Sequence, residues 1–175
     1  MDAPLPLSRL LRATGIGFIC LFLGGCQYDP WAYGFLQNRP VETDLVGTYR
    51  VDADTLARRI SIPWSRKTTI SIEREAEITL YADHKAQFLR VPQVDDFVRQ
   101  VCVINGNGSW QLGRNDHYAD VAVQIYRADY HQLVDGCEPT YNGELMLYGS
   151  KPPYKLHLTI GDPDAGDAVQ FEKAN

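Results

Sequence analysis

In the segment YKLHLTI at 154–160 every second residue is apolar. Tyr154, Leu156, Leu158 and Ile160 share one face, and Lys155, His157 and Thr159 share the other. The same alternation runs through Val121, Val123 and Ile125 in DVAVQIYR, through Ile78 and Leu80 in AEITLYA, and through Ile70 and Ile72 in TTISIE. Successive strand side chains point to opposite sides of a sheet, so segments of this kind form strands with one buried face. Antiparallel sheets meet that requirement by packing one face on a core and wetting the other.

Turn signals separate these runs: ADHK at 82–85, NGNG at 105–108, DG at 135–136, NG at 142–143, GSKPP at 149–153 and GDPDAGD at 161–167. Asn-Gly and Asp-Gly suit tight hairpins because both residues tolerate positive φ. The spacing predicts strands near 45–52, 68–73, 76–82, 86–91, 98–104, 108–113, 119–127, 143–149, 154–160 and 168–173, eight or nine of them genuine. Only DADTLARRI at 52–60 reads as a short helix, with Asp54 as its cap. Short, evenly spaced strands joined by hairpins predict an all-β domain, an antiparallel up-and-down barrel. Hydrophobic residues at 45% and charged residues at 22% exclude a disordered chain. A formal charge of −5 disfavours a nucleic-acid partner, which needs a basic face.

The first residues follow a different pattern. Arg9 and Arg12 precede the apolar stretch ATGIGFICLFL, which ends at Gly24, Gly25 and Cys26. A basic start, an apolar stretch too short to span a bilayer well and small residues at its end are the parts of an export signal. Leu23-Gly24-Gly25-Cys26 resembles the lipobox of bacterial lipoproteins. That resemblance implies a diacylglyceryl group on the Cys26 sulfur, cleavage before it and acylation of the new amino group; the alternative is an ordinary signal peptide that contains a cysteine. Gln27 stands where an Asp resembles an inner-membrane retention signal. The implied address is therefore the periplasmic face of the outer membrane. The chain divides into a signal peptide at 1–25, a lipidated N-terminus and tether at 26–44, and a barrel domain at 45–175. Loss of Asp2, Arg9 and Arg12 with the signal moves the formal charge from −5 to −6. Trp31, Tyr33 and Phe35 are unusual in a tether and either pack on the domain or meet the lipid interface. Cys102 and Cys137 then remain, in a compartment that permits a disulfide; two buried thiols are the alternative.

LVGTYRVD at 45–52 resembles the Gly-x-aromatic opening of lipocalin-like barrels, with Tyr49 where lipocalins usually place tryptophan. GNGSWQL at 106–112 resembles a later Gly-x-Trp strand, and 147–173 resembles the closing hairpin of an uncharacterised lipocalin-like lipoprotein group. The resemblance spans about residues 44–174 and implies a barrel that encloses a ligand cavity or fills its interior with side chains.

Reactive constellations are sparse. Asp162, Asp164 and Asp167 form a weak calcium candidate, but Asp, Gly and Pro are also turn residues. His84, His117, His131 and His157 show no ligand spacing, and the strand pattern places His157 on the solvent face. No G-x-S-x-G elbow surrounds Ser109. Arg58, Arg59, Arg66 and Lys67 gather around Trp64, either as a docking patch for an anionic surface or as a solvated loop. The expected function is non-enzymatic, without a cofactor: a lipid-anchored envelope module that binds a small hydrophobic ligand in the barrel. The alternative is a protein-interaction or inhibitor lipoprotein acting through loops and outer face, and a hydrolase is the weakest reading. Trp64, Tyr49 and Trp110 are the candidate contact residues, and Cys26 is the membrane attachment.

Overall fold

Three of the four alternating segments join one sheet that meets itself, and TTISIE falls outside it, with Ile70 in a separate hairpin. The computed structural model describes residues 31–57, 60–62, 65–70, 72–95, 100–114, 121–131, 140–160 and 167–174, with backbone alone at 32, 60–62, 65–70, 94–95, 100–101, 121, 127–131 and 140–141. After single 3-10 turns at Ala32–Gly34 and Glu42–Asp44 come β1 (Gly47–Val51), α1 (Ala53–Ala57), β2 (Ile60–Ile62), β3 (Ser65–Ile70), β4 (Glu77–Leu80), β5 (Lys85–Asp95), β6 (Gln100–Arg114), β7 (Val121–His131), β8 (Thr140–Tyr148), β9 (Lys155–Thr159) and β10 (Ala168–Lys173). Eight strands form a closed antiparallel barrel in the order β1-β10-β9-β8-β7-β6-β5-β4, and β2 and β3 form a separate hairpin. β1 closes the ring by pairing with β4 on one side (Gly47 opposite Leu80) and β10 on the other (Val51 opposite Phe171). This is the antiparallel up-and-down barrel that the alternation and hairpin spacing predict, and it is consistent with the lipocalin-like barrel that the resemblance implies.

Because the strands run up and down in sequence order, the connections alternate between two rims. The near rim carries the start of β1, the turn 81–84, the turn 149–154 and the end of β10; α1 and the β2–β3 hairpin connect strands at the far rim. Inward-facing Tyr49, Phe88, Trp110 and Phe171, with Leu45, Ile78, Leu80, Leu147, Leu156 and Leu158 around them, are all buried. Large aromatics at this density turn the described interior into a packed core.

Three sequence expectations change. NGNG at 105–108 is no hairpin: β6 runs through it for 15 residues, merging the strands expected at 98–104 and 108–113. Asn142-Gly143 likewise lies inside β8. At both places the pairing shifts register, between Phe88 and Val91 on β5, Ile104 and Ser109 on β6, and Ile125 and Ala128 on β7. These irregularities are neighbours and form one row across β5 to β8, with Arg90 left-handed at φ 53° within it. Glycine suits a bulge as well as a turn, and bulges bend the strands that carry them. Finally, Asp52 and not Asp54 caps α1: its Oδ1 accepts from the Thr55 amide at 2.7 Å. The Asp52 amide donates to the Gln170 carbonyl at 2.9 Å, which holds the cap in place at the end of β1.

Gly47 opens β1 at φ 145°, and a Cβ there would lie 2.7 Å from Lys173 Cε. Lys173 in turn donates from Nζ to the Asp44 carbonyl at 2.8 Å across the near rim. Gly47→Ala is expected to cost about 1–3 kcal/mol through the strained backbone, read as a lower midpoint of thermal unfolding; an unchanged midpoint contradicts this account of β1.

Candidate functional site

Tyr49 and Trp110, both singled out as contact residues, seal the near rim from inside. The Tyr49 hydroxyl donates to the Leu45 carbonyl at 2.8 Å. Burial first, and then the negative charge of Asp44, push its pKa up, so the phenol stays protonated and serves as donor. Trp110 Nε1 donates to the Tyr81 carbonyl at 2.9 Å, and its amide donates to the His84 carbonyl at 2.8 Å. The His84 ring lies 5.1 Å from the indole, over the turn that closes β4 onto β5. These two aromatics are a floor rather than an exposed contact surface.

The outer wall holds the arrangement that sequence reasoning missed. His157, expected in solvent on the polar face of β9, is 1% exposed. The segment read as a tether covers it. Leu36 donates from its amide to the Leu147 carbonyl at 2.8 Å, and Gly149 donates to the Gly34 carbonyl at 2.9 Å. Phe35 bridges to Tyr148 where β7 has not yet begun beside β8. The rings of Trp31 and Phe35 each lie 5.1 Å from the His157 ring, and Phe35 packs on Ala122 and Met146. Gly34 is required here, since a Cβ would sit 1.9 Å from the Tyr148 ring. Two of the three aromatics of the strap therefore pack on the domain, whereas Tyr33 points away and is 95% exposed. The spacing of Trp31, Tyr33 and Phe35 was the available signal: alternate residues share a face, but here the strap uses them on both.

Above this box, Asp52 is 2% exposed and accepts from Lys155 Nζ at 2.8 Å. The Gln170 amide donates to Thr55 Oγ1 at 3.1 Å, so α1 is tied to the outside of β10. Burial alone would push the Asp52 carboxyl up, but the hydrogen bonds from Lys155 and Thr55 and the lysine charge outweigh it and hold the pKa below the usual value. On the β4–β5–β6 wall, beside the row of bulges, a surface recess of about 210 Å³ is lined by Glu77, Thr79, Gln87, Leu89 and Asn105 among others.

The other candidates are not brought together. Cys26, Trp64, Arg58, Arg59, His117, Cys137, Asp162 and Asp164 lie outside the described residues, and Arg66, Lys67 and His131 are described by backbone alone, the first two on β3 rather than in a loop. Cys102 is buried on β6 and disulfide-bonded. Asp167 accepts the Ile160 amide at 2.9 Å through its carbonyl, a pair that closes the β9–β10 connection as a turn would. Among the described residues no group of three or more potential metal ligands is found. No protein-family model, curated protein or solved structure matches this chain.

The Asp52–Lys155 pair carries a pH signature. Lys155→Met leaves a buried carboxylate without its cation and is expected to cost about 1–2 kcal/mol at neutral pH, allowing for the partly exposed lysine. The folded carboxyl titrates below its unfolded value. Its contribution is therefore present above the unfolded pKa and lost as pH falls through the folded one. The gap between wild type and variant, measured by urea unfolding, should narrow below about pH 4; a gap of constant size from pH 7 to pH 3 contradicts it.

Proposed function

We propose that this chain is a non-enzymatic, lipid-anchored module of the bacterial envelope that is held by acylated Cys26 and engages a protein partner at its far rim. The packed interior carries the choice of partner. Tyr49, Phe88, Trp110 and Phe171 fill the described part of the barrel interior, which leaves no room for a hydrophobic ligand beside them. In contrast, β5, β6, β7 and β8 run for 11, 15, 11 and 9 residues, well past the strands of 4 to 6 residues that complete the ring. Their ends form a sheet above the row of bulges, a platform available to an envelope protein.

A Cys102–Cys137 disulfide would brace that platform. Val103 pairs with His131 at the end of β7, and Cys137 follows in the connection to β8, six residues after His131 in the sequence. Cys102 is in the bonded form, and closing a loop of this length stabilises by roughly 3–4 kcal/mol on the chain-entropy model.

Two measurements test the reading. Cys26→Ser is expected to abolish acylation and to shift the protein from the membrane to the soluble fraction; continued membrane fractionation of an uncleaved, unacylated chain contradicts the anchor. In vivo crosslinking from a photo-reactive residue at Gln93, near the far end of β5, is expected to capture a protein. Native mass spectrometry that instead finds a stoichiometric lipid or other apolar small molecule bound to the purified domain supports a carrier and contradicts the interaction module.

A further inference from the structure

We infer that the near rim of the barrel faces the bilayer, with Tyr33 at headgroup level, so that β5 to β8 project away from the membrane. This orientation rests on the lipid anchor at Cys26 proposed above. It follows from where the chain first becomes part of the domain. Trp31 packs against the Phe35 cluster and its carbonyl accepts from the Gly34 amide at 2.9 Å, so the strap is fixed to the barrel from that residue on. Only five Cα-to-Cα steps separate Cys26 from Trp31, and an extended chain covers at most about 18 Å in that many steps. β6 alone, with 15 residues, is about 50 Å long. An anchor much shorter than the body it holds leaves the barrel little freedom to turn over.

The surface at that end has the composition of a headgroup contact. Among the described residues the exposed large hydrophobic side chains are Tyr33 at 95%, Val41 at 65%, Tyr81 at 43%, Leu89 and Tyr126, and the first three belong to the strap and the near rim. Tyrosine is favoured at bilayer interfaces because its ring sits among apolar chains while its hydroxyl stays wet. Two acids at the rim are paired with cations, Glu42 with Arg39 at 3.0 Å and Asp83 with Lys85 at 2.6 Å. Lys151, in the exposed turn that follows Gly149 and so beside the strap, adds a cation. The chain enters and leaves the β2–β3 hairpin, which flanks Trp64, at the opposite rim.

The test uses the mature acylated protein in vesicles of phosphatidylethanolamine and phosphatidylglycerol. Benzoyl-phenylalanine replaces Tyr33, Lys151 or Glu75 in turn, Glu75 being an exposed residue just before β4 at the far rim. Lipid adducts are expected at positions 33 and 151 at several times the yield at 75. Equal yields, or more adduct at 75, overturn the orientation while the anchor stands. An N-terminus that mass spectrometry shows to be unacylated overturns the anchor, and the orientation with it.

Discussion

The burial of Tyr49 at the mouth of the barrel is the interaction on which the rest depends. A closed sheet either fills what it encloses or leaves a cavity, and this one fills its mouth with an aromatic whose polar end has its own acceptor at Leu45. A buried hydroxyl without a partner would cost free energy, and a smaller side chain would leave a void. Tyr49 also stands between the two seams of the ring, opposite Ile78 on β4 and Lys173 on β10. Closure and filling are thus the same event at this residue, and Trp110 repeats the device through the Tyr81 carbonyl.

The described interior is packed, and the outer wall is where the barrel varies. The outer wall is not uniform. On one side it carries the docked strap over His157 and Met146. On another, α1 is pinned by Asp52, Lys155 and Thr55. Above both, four strands continue past the ring and bend where their registers shift. Bulges re-aim strands without breaking pairing, so the platform stays continuous with the rigid floor beneath it. An orientation that keeps the floor near the lipid would present the platform to the rest of the envelope.

The fold class was legible because period-2 alternation depends only on which face is buried, and YKLHLTI or AEITL have one such face. Strand ends were less legible where the same residues serve two purposes. Asn105 to Gly108 and Asn142-Gly143 read as hairpins, yet backbone permissiveness is equally what a bulge needs, and only the partner strand decides between them. His157 shows a second limit: its alternation assigns it correctly to the outer face, but what covers that face is a segment more than a hundred residues away. The capping role of Asp52 is not legible in the sequence because its position is fixed by Gln170, a contact across the whole domain. Tyr49 and Trp110 stand at the aromatic positions of the lipocalin-like resemblance, and both are buried in the core.

The seam between β1 and β10 has a consequence for the order of assembly. β1 is among the first segments made, and one of its two neighbours is the last strand of the chain. β4 to β9 can zip as successive hairpins, each contact short in sequence, but the ring stays open until Lys173 is available. Until then β1 and β9 are unpaired edges, free to recruit strands from another molecule. A chain cut before Ala168 would lose the closing strand together with buried Val169 and Phe171, and would leave β1 and β9 each with an open edge.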